Sequence, residues 1–170
     1  FNKDDYKFII ENLEQNSFLG SDISLSNLFY LQKKYNILLD IKNGILFRYY
    51  QGNENRLGYG FPISLKKNNE NYLEEALSLI FEDANIFNRK VKFCLCSLEQ
   101  KNILEETIRK CFNKYSIYWN SFLGDSDYIY ETKNLAELPG KKFHKKKNHI
   151  SKFMRLYQND FSFKTFEDED

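Results

Sequence analysis

The fold is decided by one stretch of the sequence, Ile37-Leu38-Leu39-Asp40-Ile41-Lys42-Asn43-Gly44-Ile45-Leu46-Phe47-Arg48-Tyr49-Tyr50. Its two apolar and aromatic runs, residues 37–41 and 45–50, have the length and residue types of short strands. The Asn-Gly pair between them is a strong signal for a two-residue hairpin turn. A third run, residues 56–61, follows the polar segment 51–55. The sequence therefore predicts a three-strand antiparallel meander.

Helical patterns flank this meander on both sides. Before it, residues 4–15 and residues 25–35 repeat apolar side chains every three or four positions. After it, two longer helices are predicted, with apolar faces running from Leu73 to Phe87 and from Ile103 to Tyr115. The three later helices are preceded by residues that cap helices well: Ser24, Asn69 or Asn71, and Ser97.

The second half of the chain adds further strand patterns. Residues 91–96 are a continuous apolar run, which is typical of a strand buried on both faces. Residues 116–119 and 127–131 are predicted to be two more strands, and residues 161–166 a last one. A short helical turn over 134–138 precedes the late basic helix. This order predicts an α+β fold, with helices packed on a mixed, largely antiparallel sheet, a C-terminal basic helix and a trailing strand.

Composition limits the class of protein. The chain has 170 residues, of which 42% are hydrophobic, enough for one domain with a sizeable core and the start of another. Three cysteines, an odd number, favour a reducing compartment. No N-terminal signal and no apolar run of membrane-spanning length is present, so we expect a cytoplasmic protein. The chain lacks an initiator Met and ends in an acidic run, so we expect a fragment.

Positive charge is concentrated in residues 141–155. This segment holds seven of the 25 Lys and Arg and no acid, and both histidines lie in it. The rest of the chain has 18 Lys and Arg against 24 Asp and Glu, a net charge of −6. Pro139-Gly140 before the segment predicts a helix start. We therefore expect a helix with a concentrated positive charge.

One side of this helix is predicted to be apolar. The residues of this apolar stripe recur at helical spacing: Phe143, Lys147, Ile150, Met154 and Tyr157. We expect the stripe to lie on the domain, with Lys147 either extending its stem outward or pointing into a pocket. Lys141, Lys145, Asn148, Lys152 and Arg155 fall on the opposite side.

The helix is the predicted binding site for an anion. Repulsion between cations four residues apart, with no acid between them, favours an anionic partner such as tRNA or phospholipid phosphate. A solvated basic face is the alternative. The candidate phosphate-binding residues are Lys141, Lys142, His144, Lys145, Lys147, Asn148, His149, Lys152 and Arg155.

Other motifs provide weaker evidence for a functional site. Cys94 and Cys96 are expected in the core, because zinc requires four ligands and too few lie near them. His144 and His149 are five residues apart, which is the wrong spacing for a helical metal pair. Residues 56–60 contain two glycines but lead into a strand instead of a helix, so we expect them to allow close backbone approach. No metal or cofactor is predicted.

Several stretches together resemble a known family. Residues 127–131 (DYIYE) and 135–153 (LAELPGKKFHKKKNHISKF), with 25–35 (LSNLFYLQKKY) and 59–63 (YGFPI), are similar to the family sharing the C-terminal domain of phosphatidylglycerol lysyltransferase. The element order also resembles the GNAT fold of N-acyltransferases. The most specific part of the resemblance lies around residues 139–148.

The resemblance implies an aminoacyl- or acyltransferase lineage with two GNAT-like halves in tandem. It divides the chain into a GNAT-like domain at 1–138, a basic linking helix at 139–160 and the first strand of a second, truncated half at 161–170. The acyl-CoA signature is matched only loosely by residues 56–60, so no CoA binding and no catalytic residue is assigned. The alternatives are a non-catalytic module that binds nucleic acid or protein, and a scaffold domain.

Overall fold

The computed structural model describes residues 7, 9, 11, 21, 24–66, 69 and 71–162. Its helices and strands are α1 (Leu25–Leu31), β1 (Leu38–Lys42), β2 (Ile45–Gln51), β3 (Leu57–Tyr59), β4 (Ile63–Ser64), α2 (Tyr72–Ile86), α3 (Leu98–Cys111), α4 (Thr132–Glu137) and α5 (His144–Tyr157). Single 3-10 turns lie at Glu54–Arg56, Leu123–Asp125 and Lys141–Phe143. The predicted α+β fold is confirmed. The helix predicted over 4–15 lies almost entirely outside the described residues.

The chain forms two compact units, Phe1–Asp127 and Tyr128–Asp170. The first holds the sheet with α1, α2 and α3. The second holds α4 and α5. The finer division at residues 138 and 160 stays a prediction.

The sheet is built around β2. Strand β1 pairs with it antiparallel, with Lys42 opposite Ile45. On the other edge β3 and then β4 pair with it, also antiparallel. Asn43 and Gly44 have φ angles of 58° and 78°, the positive values of a type I′ hairpin turn. The predicted meander is confirmed, and β4, separated from β3 by Pro62, is a fourth strand that the sequence analysis did not predict.

The core lies between the sheet and helices α2 and α3. Its main cluster of buried side chains is Ile45, Phe61, Leu73, Ala76, Leu77, Leu104 and Ile108. Full burial of each large apolar side chain contributes about 1.5–3 kcal/mol. Within the described residues, no helix combines the length and the apolar character that crossing a membrane requires.

The caps of α1 and α3 are confirmed. The Ser24 hydroxyl accepts a hydrogen bond from the Asn27 N–H. Ser97 and Gln100 form a capping box, in which each side chain accepts a hydrogen bond from the other residue's backbone N–H. Asn71 precedes α2 but makes no side-chain capping bond.

Gly58 allows the close backbone approach that we predicted. Its φ is 136°, and a Cβ there would overlap the carbonyl oxygen of Lys92. That oxygen accepts a hydrogen bond from the Tyr59 N–H at 2.7 Å. The glycine therefore lets residue 92 come against β3.

The strand predicted at 91–96 is wrong. Phe93 forms a single parallel bridge with Tyr59, and the Cys94 N–H donates to the Tyr59 carbonyl at 2.9 Å. Leu95 then has a φ of 58°, outside the extended region, and this ends the pairing. The run is apolar because it packs beside the core, and the turn at Leu95 prevents a longer ladder.

The later strand predictions are also wrong where the structure describes them. Residues 116–119 and 127–131 form no ladder with any described strand. Ile117 and Trp119 pack at the edge of the main core, whereas Tyr118 is 90% exposed and Tyr128 and Ile129 are 86% exposed. Asp127 instead accepts hydrogen bonds from the backbone N–H and hydroxyl of Ser21. Residues 161 and 162 are not in a strand, and 163–166 lie outside the described residues.

Candidate anion-binding surface

The start of α5 is determined by the residues before it. Leu138 ends α4 in the left-handed conformation with φ 49°, and Pro139 cannot continue a helix. Gly140 follows with φ 73°. The 3-10 turn Lys141–Phe143 then leads directly into α5. The predicted helix start is confirmed, with its first three residues in the tighter turn.

Four polar side chains share one face of α5, which we call the basic face. Lys145, Asn148, Lys152 and Arg155 follow one another at steps of three, four and three, the spacing of one side of a helix with 3.6 residues per turn. All four are exposed. Lys141, also exposed, lies one step of four before them in the 3-10 turn.

The remaining predicted ligands are placed less uniformly. His144, Lys147 and His149 lie at the borders of the basic face. Lys142 stands in the 3-10 turn, where its ammonium is 5.1 Å from the ring centroid of Phe143. All four side chains are exposed. The structure thus brings five of the nine predicted residues onto one face and leaves the others around it.

The cations of α5 form no ion pair with any described carboxylate. The ion pairs of the described residues lie in the first unit: Arg56–Asp125, Arg89–Asp83, Lys101–Glu105 and Lys110–Glu106. The first turn of α5 contains no acidic residue and no side-chain cap. Lys145, Lys146 and Lys147 there oppose the positive end of the helix dipole. The helix therefore carries a charge distribution that disfavours the isolated helix.

The side chains of the predicted apolar stripe are exposed on α5 itself, and its packing on the domain stays a prediction. Phe143, just before the helix, is buried at 2% exposure. Ile150, Met154 and Tyr157 are 52%, 45% and 48% exposed, and no residue of α5 is buried. Lys147 is exposed as well. The apolar spacing correctly predicted which side of α5 is apolar. Spacing alone does not determine whether another element covers that side.

Two further apolar residues join this side of α5. Phe153 and Leu156 are 43% and 57% exposed. We call Ile150, Phe153, Met154, Leu156 and Tyr157 the apolar face. The sequence analysis left Phe153 and Leu156 out because it followed one narrow stripe, although Phe153 lies three residues after Ile150 and Leu156 lies three residues after Phe153.

Lys146 was not among the predicted ligands, and the structure separates it from the basic face. It lies on the side of Ile150 and Phe153, four and seven residues before them. Its ammonium is 5.5 Å from the ring centroid of Tyr130, a distance at which cation and ring attract each other.

A partly buried polar cluster in the first unit was not predicted from the sequence. The Tyr59 hydroxyl donates to the Asp83 carboxylate at 2.5 Å, and Arg89 lies 3.6 Å from the same oxygen. The Arg89 guanidinium stacks 4.4 Å from the Tyr49 ring centroid. Burial and the hydrogen bond to Asp83 raise the pKa of Tyr59 well above its usual range. The cluster joins β2 and β3 to the end of α2, and no signal of spacing indicates it.

The thiols are placed as core and surface residues. Cys94 is buried, Cys96 is half-buried and Cys111 is exposed. Among the described residues, no three or more His, Cys, Asp and Glu side chains are grouped as metal ligands.

A family model and a solved structure each match nearly the whole chain. A family model described as "Phosphatidylglycerol lysyltransferase, C-terminal" matches residues 14–169. The chain is similar to a crystal structure of a conserved protein of unknown function from Bacteroides thetaiotaomicron, with a TM-score of 0.73 and 24% sequence identity. That match covers 94% of this chain and 50% of the other, so the chain spans about half its length. None of the curated proteins compared with the chain matches it.

Proposed function

The chain belongs to the family of phosphatidylglycerol lysyltransferase C-terminal domains, and from this premise we propose that it is the N-terminal, GNAT-like half of an aminoacyl- or acyltransferase. In this proposal a second GNAT-like half completes the enzyme, and α5 links the two. The half-length match to the Bacteroides protein supports such an arrangement. The reducing environment expected from the thiols supports a cytoplasmic location.

The substrate is proposed to be held by its phosphate groups on the basic face. The observation that carries this proposal is the row of exposed cations on α5 without a described carboxylate partner. Lysine ammonium groups bind phosphate as point charges, and a guanidinium such as Arg155 can bind it with two hydrogen bonds. Asn148, between these cations, adds a neutral donor.

The charges of α5 favour the binding of an anion more than they favour formation of the helix. Cations at the N-terminal end of a helix are unfavourable for the helix, but the same end attracts anions. A phosphate bound beside Lys145 relieves both the repulsion among the lysines and their conflict with the dipole. An anionic substrate therefore stabilises α5 when it binds.

The transfer chemistry is compatible with a domain that lacks a covalent nucleophile. Transfer of an aminoacyl group from an activated ester requires positioning of both substrates and donors for the developing oxyanion. In the proposal this half positions the phosphate-bearing substrate. We assign no catalytic residue to it.

The proposal is tested by binding of the full chain to tRNA and to phosphatidylcholine vesicles with and without phosphatidylglycerol. We expect binding to tRNA or to the anionic vesicles that weakens steeply between about 50 and about 200 mM salt. The triple variant Lys141→Glu/Lys145→Glu/Lys152→Glu should lower affinity by roughly 100-fold or more, because each lysine near an anionic surface contributes to binding.

The matched control is Lys33→Glu/Lys90→Glu/Lys114→Glu, which makes the same charge change at exposed positions of the first unit. It should retain most of the affinity. Binding to neither probe, binding insensitive to salt, or an equal loss in the control would contradict the proposal.

A further inference from the structure

The function proposed above leaves Cys94 and Cys96 without a role. Both side chains are thiols in the structure, Cys94 buried at 6% exposure and Cys96 half-buried. The third thiol, Cys111, lies exposed at the end of α3. Two cysteines one residue apart can form a disulfide only where the backbone between them brings their Cα atoms close enough. The conformation of Leu95 therefore decides what the pair can do.

Leu95 turns the chain between the two cysteines. Its φ is 58°, in the left-handed region, whose dihedral angles mirror those of a helical residue. Such a residue sets the Cα atoms on either side of it about 5.4 Å apart, whereas a strand sets them about 6.6 Å apart. Disulfides have Cα separations of about 4.4–6.8 Å and most often about 5.5–6 Å. The turn therefore gives Cys94 and Cys96 a separation that suits a disulfide better than the predicted strand would.

The sulfur of Cys96 lies toward the residue with which it would pair. Its Sγ is 3.8 Å from the carbonyl oxygen of Cys94. The Cys94 Sγ is 3.7 Å from the carbonyl oxygen of Gly58. A thiol is a weak hydrogen-bond donor, so little is lost when either sulfur rotates away from its carbonyl oxygen and toward the other sulfur.

The two thiols differ in their access to solvent. Cys96 is half-buried, so a small oxidant can reach it, whereas burial protects Cys94 from direct attack. Burial also keeps Cys94 next to the sulfur that is attacked first. An accessible cysteine with a second, resolving cysteine beside it is the arrangement of reversible oxidation sites.

We propose that Cys94 and Cys96 form an intramolecular disulfide when the protein meets a hydroperoxide. The Cys96 thiolate attacks one peroxide oxygen, the O–O bond breaks, an alcohol or water leaves, and a sulfenic acid remains on Cys96. The Cys94 sulfur then attacks the Cys96 sulfur, the S–O bond breaks, and hydroxide leaves with the Cys94 proton as water. Two thiols are oxidised and one hydroperoxide is reduced, and a dithiol restores the thiols by exchange.

The oxidation site lies between two elements of the first unit. The Cys94 N–H donates to the carbonyl of Tyr59 in β3 at 2.9 Å, and Cys96 directly precedes Ser97, the N-cap of α3. A disulfide across Leu95 fixes this short connection. In a reducing compartment such a bond is transient, which suits the sensing of an oxidant. This inference does not depend on the proposed transferase function.

Formation of the bond is measured on the full chain after exposure to hydrogen peroxide. Remaining thiols are blocked with N-ethylmaleimide in denaturant, and trypsin, which cleaves after lysine and arginine, then gives one peptide, 93–101, with both cysteines and another, 111–114, with Cys111. We expect peptide 93–101 to lack maleimide and two hydrogens, and dithiothreitol to reverse this. Peptide 111–114 should stay blocked. Two maleimides on peptide 93–101, or a bond to Cys111, would overturn the inference.

The contribution of the fold is measured as the equilibrium constant for disulfide formation in a glutathione buffer. We expect this constant to be at least about tenfold larger in native buffer than in urea, because the turn positions the two thiols before they react. Equal constants in the folded and unfolded chain would overturn the inference.

Substitution of Leu95 tests the turn itself. Leu95→Val should lower the native constant toward its value in urea, because a β-branched residue strongly disfavours the left-handed conformation. Leu95→Asn tolerates that conformation and is the matched control, which should keep the wild-type constant. Circular dichroism checks that both variants fold, and equal constants in two folded variants would contradict the inference. If Leu95→Val does not fold, the comparison of native and unfolded wild type decides.

Single cysteine variants test the order of the two steps. In Cys94→Ser the sulfenic acid on Cys96 has no resolving thiol beside it, so dimedone should trap it. In Cys96→Ser the buried Cys94 should be labelled at least about tenfold more slowly, since oxidation follows exposure. Equal labelling rates in the two variants would overturn the assignment of Cys96 as the cysteine that is attacked first.

Discussion

Helices α3 and α5 have the same length, 14 residues, and opposite designs. Helix α3 begins with a capping box, has Glu99 in its first turn and has Arg109 and Lys110 in its last. Helix α5 begins without a cap or an acid and places cations in its first turn. The cap and the first-turn acid of α3 stabilise a helix, whereas α5 lacks both and shares with α3 only a basic residue in the last turn, Arg155.

Helices α3 and α5 also differ in how their side chains pack. Helix α3 buries Leu104 and Ile108 in the main core, and its surface lysines pair with glutamates one turn away. No side chain of α5 is buried, and its lysines have no described ionic partner. The two helices therefore differ in burial and in ion pairing: α3 is packed into the main core, whereas the side chains of α5 are exposed.

The largest effect should come from removing a core side chain of α3. Leu104→Ala should lower the free energy of unfolding by about 2–5 kcal/mol, because Leu104 is fully buried and a cavity remains. Leu156→Ala on α5, at 57% exposure, should change it by less than about 0.5 kcal/mol. Urea denaturation of both variants measures this, and a similar cost for the two would break the contrast between the helices.

A smaller effect is expected at the helix starts. Ser97→Ala removes the side-chain half of the capping box and should cost about 1 kcal/mol, with Ser97→Asp restoring most of it. Ser151→Ala, an exposed position inside α5, should be neutral or slightly stabilising because alanine favours helices. Thermal melts of the three variants give the comparison. A neutral Ser97→Ala would show that the cap does not support α3.

The smallest effect is a change in the alkaline pH dependence of stability, through Tyr72 at the start of α2. Burial raises the pKa of Tyr72 to about 12, above its usual value near 10. The contribution of the buried, neutral Tyr72 hydroxyl to stability is fully present below about pH 10. It is lost as the pH rises toward 12, because the Tyr72 hydroxyl ionises at lower pH in the unfolded chain than in the folded one. Between pH 9 and 11 the free energy of unfolding of Tyr72→Phe should therefore fall less than that of the wild type. Denaturation at a series of pH values measures both. Parallel pH profiles would contradict this.

Sequence predicted the local features well. Asn43-Gly44 predicted the hairpin, Ser97 predicted the start of α3, and Pro139-Gly140 predicted the start of the basic helix. These predictions succeeded because each depends on the backbone preference or hydrogen bonding of a few adjacent residues.

Predictions that needed distant partners failed. The run 91–96 is apolar enough for a strand, but its pairing ends at Leu95, whose conformation is not visible in the composition. Residues 127–131 resemble a strand, yet Asp127 binds Ser21 across 106 positions of sequence. The cluster of Tyr49, Tyr59, Asp83 and Arg89 likewise joins β2, β3 and the end of α2, which periodicity cannot bring together.

The amino-acid sequence by itself determined the periodic elements, the concentration of cations in one late helix and the family resemblance, since these follow from neighbouring residues. Only the tertiary structure decided which apolar faces are covered. Helices α3 and α5 both alternate apolar and polar residues at helical spacing, and burial depends on whether another element presents a complementary surface. For α3 the sheet and α2 provide it, whereas no residue of α5 is buried.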